Sequence, residues 1–400
     1  MKRLCSGKWV LLLSVLMALP AAAVARVISV SNVDALYDAV NNPANAGATL
    51  VLLRGTYVLS ATDSSNAPRP NGGRIELQPN MSIVGVEGDR DAVVIDASGL
   101  PVSSFPQTNG PNAAVRMGLG HNALEWFSVR NAVNAQANID TGLQATDPGT
   151  AYIEVAHVAS SGGVRGLEVI NYGPQTSGQT IDAEITDSYF FDNILGTGEG
   201  IRIGSFVGAV GGTVNIWMSG NISWGNLTGR IFENARAENS TINAFSLGNR
   251  FYDNQTGTII FSGISTNNTR ADGNTINFEA VDDEFVDNTT PSTLDQGGLL
   301  IVAAENDSTV SGGGSNNTAN VRLWGCRMLD NARSDLTVIG ARSPSASLAP
   351  LSQNNHVTIE IFGSDDGFGK SQPVEVFANT LVGGVPGTPD YGNWVKVIRW

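Results

Sequence analysis

After Val40 the chain alternates runs of four to six β-prone residues with short clusters of Gly, Asn, Asp or Ser, and no stretch holds a helical period for long. Short strands at close spacing with polar turns predict an all-β chain. The exception precedes them. In Ser31–Val40, Val33, Leu36, Tyr37 and Val40 fall on one helical face. Ser31 stands where a helix cap is wanted, Asp34 takes the capping-box position, and Asn41-Asn42-Pro43 ends the segment. Short strands follow at Thr49–Leu53, Arg74–Leu77, Met81–Gly85 and Ala92–Asp96.

Five later segments align on one asparagine: DSYFFDN at Asn193, GNISWGN at Asn226, GNRFYDN at Asn254, DDEFVDN at Asn288 and GCRMLDN at Asn331. The intervals are 33, 28, 34 and 43 residues. A short unit recurring at elastic spacing predicts a stacked solenoid, in which each unit buries its face only against its neighbours. A β-sandwich has no reason to place an aromatic residue or Met three positions before an Asn in unit after unit. Segments such as Asn306–Asn320, rich in Ser, Gly and Asn, read as flank loops. No boundary splits the chain, so residues 26–400 are expected to form one domain.

Composition narrows the partners. Lys2, Arg3 and Lys8, the apolar run Val10–Leu19 and the small residues Ala23-Val24-Ala25 read as a secretory signal over residues 1–25, which places the protein outside the cell, in the periplasm or at the cell surface. The formal net charge is −14. Such acidity excludes nucleic acid, which needs a basic footprint. Nothing after residue 25 is long and apolar enough to cross a bilayer. Cys326 is the single cysteine beyond that segment, so no intramolecular disulfide is available to it.

The entry helix, LVLLRGTYVLS, IELQPNMSIVGVEGDRDAVVIDASG and the later asparagine-ended units together resemble the secreted right-handed parallel β-helix proteins, the pectin-lyase-like group, over nearly the whole of residues 26–400. The resemblance implies a right-handed parallel β-helix whose N-terminal helix caps the open end of the solenoid. It also implies an extracellular polysaccharide as partner, polyuronates included. The same fold serves lyases, hydrolases, epimerases, adhesins and surface proteins, so depolymerisation and binding without cleavage both stay open. Polygalacturonase-like members carry an acidic pair followed by Gly-His-Gly and Arg-Ile-Lys. Here Asp282-Asp283 follows Gly120-His121-Asn122 and Ile201-Arg202-Ile203, which is the wrong order, with altered third elements.

In such a stack, equivalent positions of successive coils lie about 4.8 Å apart. The asparagine column then bonds coil to coil, with Asn tolerating a left-handed backbone. Phe190, Ser223, Phe251, Phe285 and Met328 point inward. Arg250, Glu284 and Arg327 form an outward charge ladder. Asp253, Asp287 and Asp330 fall on consecutive coils. Carboxylates at that spacing repel by about 3 kcal/mol at an effective dielectric of 20. They splay into water, share a proton, or hold a hard cation such as Ca2+, for which these three are the candidate ligands.

The second strand of each coil, aligned from Gly200, Arg230, Thr258, Gly298 and Asp335, is expected to face Arg202, Phe232, Ile260, Leu300 and Thr337 outward. That face is then covered by a loop, packs on a partner, or forms an apolar binding stripe in which Phe232 is a candidate contact. Trp224 and Tyr252 are candidates to stack on sugar rings. A lyase needs an arginine or similar base to take the proton beside a uronate carboxylate; Arg202 and Arg230 with Glu233 are the candidate catalytic group, with mutual salt bridges the competing reading. His121, His157 and His356 show no metal-ligand spacing, and Asp365-Asp366 reads as a turn.

Overall fold

The computed structural model describes residues 26–101, 113–118, 120–141, 150–266, 269–288, 297–307, 312–332, 334–345, 347–363, 374–381, 385–386 and 391–400. The predicted leader and Asp365-Asp366 lie outside the described residues.

Among the described residues the chain forms three sheets of twelve, nine and eleven strands, designated I, II and III. Each turn of the chain visits them in that order. Thr180–Thr186 lies in sheet I, Tyr189–Phe191 in sheet II and Glu199–Phe206 in sheet III; Thr213–Ser219 then pairs back onto Thr180–Thr186. Within the three sheets all described strand pairings are parallel except the last in sheet III, where Thr380–Leu381 meets Val385–Pro386. The molecule is a parallel β-helix, right-handed as parallel crossovers are.

Alternation explains the walls. In Thr213-Val-Asn-Ile-Trp-Met-Ser219, Val214, Ile216 and Met218 are buried while Thr213, Asn215, Trp217 and Ser219 face out. The inward residues of all three sheets join one continuous core. Phe190, Ser223, Phe251, Phe285 and Met328 are each at most 1 % exposed, as the repeat predicts.

The helix spans Val33–Val40 and its cap is Asn32, whose side chain accepts from the Ala35 N–H at 2.9 Å, one position beyond the expected Ser31. Leu36, Tyr37 and Val40 enter the core.

Asparagine ladders stitch the corners. Asn193, Asn226, Asn254, Asn288 and Asn331 are at most 2 % exposed. From Asn226 onward, each Oδ1 accepts both the backbone N–H and the side-chain amide of the preceding coil's asparagine, at 2.9–3.2 Å. The left-handed backbone falls one residue earlier than expected, on Asp192, Gly225, Asp253, Asp287 and Asp330, with φ of 52–66°. The asparagines are free of that task, so their amides can point inward. A second ladder runs through Asn221, Asn249 and Asp283 between sheets I and II. A third runs through Asn274, Asn317, Asn355 and Asn393 before sheet I.

Candidate functional site

The outer face of sheet I carries an open groove, a cavity of about 800 Å³ lined by residues of eight coils. Strict register builds it from columns. One column is Asp182, Asn215, Asn243, Asn277 and Asn320. Here each asparagine amide donates to the preceding residue's side-chain oxygen, at 2.7–2.9 Å, beginning on the Asp182 carboxylate. This ladder is on the surface, unlike the three interior ones. The adjacent column reads Glu154, Glu184, Trp217, Phe245, Glu279, Arg322 and Glu360. Trp217 and Phe245 stack with ring centroids 4.3 Å apart, and Trp217 is 45 % exposed. Tyr152, 51 % exposed, precedes Asp182 in the first column, two coils before Trp217. Sequence reasoning passed over this face. Its signal was present in Thr213-Val-Asn215, Thr241-Ile-Asn243, Thr275-Ile-Asn277 and Thr318-Ala-Asn320, which repeat at the same intervals as the turn asparagines.

The expected catalytic group is not assembled. In sheet III the register pairs Ile201 with Arg230, Arg202 with Ile231 and Ile203 with Phe232. The expected alignment was therefore off by one residue between these coils, and a slip of one residue reverses the face of every side chain. Arg230 and Phe232 lie inside the solenoid at 0 % exposure, which corrects both as site residues. The Arg230 guanidinium meets Asp283 at 3.4 Å and the Ser246 hydroxyl at 2.7 Å, among the rings of Phe232, Phe251 and Phe278. Asp283 stands two coils beyond Arg230 and ends the second ladder.

Arg202 and Glu233 do meet, on the outer face of sheet III, inside a covered ionic network. Arg165 bridges Glu168 and Glu199; Arg202 bridges Glu168 and Glu233; Arg116 clasps Asp140 through two bonds. Three arginines thus serve four carboxylates, and all of these acids are buried. Glu168 Oε2 has no hydrogen-bond partner. Burial pushes the Glu168 and Glu233 carboxyls up, against the pull of their arginines. Burial acts on Glu199 too, but Arg165 and Arg202 outweigh it and hold that carboxyl down.

A raised acid contributes stability that is full below its unfolded pKa and is lost as pH rises through its folded pKa. Glu168 and Glu233 therefore favour the folded state on the acid side, from about pH 4.3, the unfolded value, upward to their elevated folded values. Glu168→Gln mimics the protonated form. Its melting temperature is expected to fall less than the wild type's as pH is raised from weakly acid to weakly alkaline, with a residual slope from Glu233. Parallel melting curves for the two proteins against pH would disprove the assignment.

On sheet II, Trp224 and Tyr252 are neighbours, their centroids 6.0 Å apart, and Phe191 stacks on Trp224 at 4.4 Å. These rings are half-buried and turn their faces to one another. Arg250–Glu284–Arg327 form the expected ladder at 3.3 and 2.6 Å, mostly solvated and worth a few tenths of a kcal/mol per pair. Asp253, Asp287 and Asp330 occupy exposed turns on consecutive coils. Among the described residues no three His, Cys, Asp or Glu side chains are grouped to hold a metal ion. His157 stacks on Trp126, His356 on Trp394, and His121 lies 3.5 Å from Glu154. Among the described residues no helix is long and apolar enough to cross a membrane.

No protein-family profile and no curated protein matches the chain. Solved structures do. The A-module of mannuronan C-5 epimerase AlgE4 from Azotobacter vinelandii is 14 % identical, covering 92 % of this chain and 100 % of that one, with a TM-score of 0.36. Pectate lyase Pel9A is 16 % identical over 88 % of this chain and 78 % of its own, with a TM-score of 0.38. The Streptococcus pneumoniae surface protein and adhesin PfbA is 10 % identical over 92 % and 94 %, with a TM-score of 0.26.

Proposed function

We propose that the protein binds an extended polysaccharide along the outer face of sheet I. The observation that carries this reading is the pairing of the Trp217–Phe245 platform with a surface ladder of amides in one open groove. A sugar ring offers a flat C–H face that an aromatic ring buries, and a rim of hydroxyls that amides and carboxylates satisfy. The groove supplies both: the rings on two adjacent coils and the amides on four successive ones. A leader such as residues 1–25 would deliver the protein to the compartment where such polymers lie.

Affinity electrophoresis through gels containing soluble polysaccharides tests the reading. Trp217→Ala is expected to weaken retardation about tenfold, since burying part of a ring against a ligand is worth roughly 1–2 kcal/mol. The side chain is half solvated, so the fold should persist, and unchanged circular dichroism would verify that. Trp224→Ala, on sheet II, serves as the control and should migrate as wild type. The reading fails if Trp217→Ala is held back by every glycan as strongly as the wild type.

A further inference from the structure

We infer that the sheet I groove takes an uncharged glycan and rejects polyuronates; the inference rests on the groove being the glycan site. Its charges point one way. Glu154, Asp182, Glu184 and Glu279 line it, and none of them pairs with an arginine or lysine among the described residues. The arginine in the lining, Arg322, is already engaged by Glu360 at 3.0 Å. A polyuronate brings one carboxylate per sugar, and among the described residues this groove has no uncompensated arginine or lysine to receive it.

Position sharpens the point. Glu184, Trp217, Phe245 and Glu279 are consecutive in one column. A sugar lying on the two rings sits between two carboxylates. Those accept strong, charge-assisted hydrogen bonds from hydroxyls. They repel a carboxylate at the same place. The amide ladder agrees. Asn215, Asn243 and Asn277 each use one N–H and one oxygen lone pair on their neighbours, which leaves one donor and one acceptor for a ligand. Hydroxyls, which donate and accept, match that pair; a carboxylate, which only accepts, matches half of it.

The test compares wild type, Trp217→Ala and the double variant Glu184→Gln/Glu279→Gln in gels containing polygalacturonate, alginate, or soluble uncharged glucans, xylans and mannans. Wild type is expected to be retarded by at least one uncharged polymer and to pass the two polyuronates freely at low salt. The double variant should shift the ratio of polyuronate to uncharged affinity upward by about fivefold to tenfold, an effect that salt screens away. If wild type holds polygalacturonate or alginate as tightly as its best uncharged polymer, or if the ratio stays put, the inference is overturned. In that event, release of the polymers by Trp217→Ala still upholds the groove as the site. Free passage of wild type through every gel would remove the groove reading and the inference together.

Discussion

Asp283→Asn is expected to destabilise the protein by about 3–5 kcal/mol, although the substitution is nearly isosteric and the side chain is fully buried. The change leaves Arg230 in the core without its counter-charge. Burial lowers its guanidinium to about 10 even with Asp283 beside it, and loss of that carboxylate lowers it further, so the variant must bury an uncompensated cation or give up its proton. Burial likewise pushes Asp283 up, and its hydrogen bonds to Ser246 and Asn249 restrain it. Arg230→Met alone should cost a comparable amount, since it strands the carboxylate instead. The double variant should recover most of the loss. Its new amide at position 283 would extend the Asn221–Asn249 ladder, and its new thioether at position 230 would pack among Phe232, Phe251 and Phe278 without a charge to solvate. Chemical denaturation of the four proteins measures the coupling; simple addition of the two single losses would show that the pair does not act as a unit.

Asn254→Ala should be nearly as damaging, at about 3 kcal/mol or more. Its amide donates to the Ser223 and Tyr252 carbonyls, and its oxygen receives both the backbone and side-chain N–H of Asn226. Truncation strands several buried polar groups at once, each costing roughly 1–3 kcal/mol less what repacking recovers. Asn243→Ala, on the surface ladder, breaks a similar amide chain in contact with water and should cost less than about 1 kcal/mol. Equal losses at the two sites would mean that burial is not what gives the interior ladder its strength.

The architecture was legible because the turn asparagines mark five consecutive coils at the same corner. The three-residue strands of sheet II end beside that mark, so Phe190, Phe251 and Phe285 came out in register and on the correct face. Sheet III starts at a variable distance from it. Ile201 stands eight residues beyond Asn193 (201 − 193), whereas Arg230 stands four beyond Asn226 (230 − 226). Matching Gly-Ile-Arg-Ile to Arg-Ile-Phe-Glu by appearance hid that difference and turned Phe232 outward. Arg230 compounded it. An arginine argues for the surface unless its partner is known, and that partner, Asp283, is 53 residues away. The groove went unread for another reason. The outward Thr-x-Asn pairs look like turn-formers in isolation; their meaning appears only when they are stacked.

The coil beginning at Thr213 and closing at Ser240 is 28 residues long (241 − 213), and it stacks on both neighbours in strict parallel register. Excising it together with an Asp283→Asn change, which removes the carboxylate that Arg230 would otherwise leave behind, would set Asp182 beside Asn243 with the asparagine ladders still aligned. Descent by gain or loss of such units would therefore rescale the protein like a ruler, changing how many sugars it spans while leaving each interval of the scale intact.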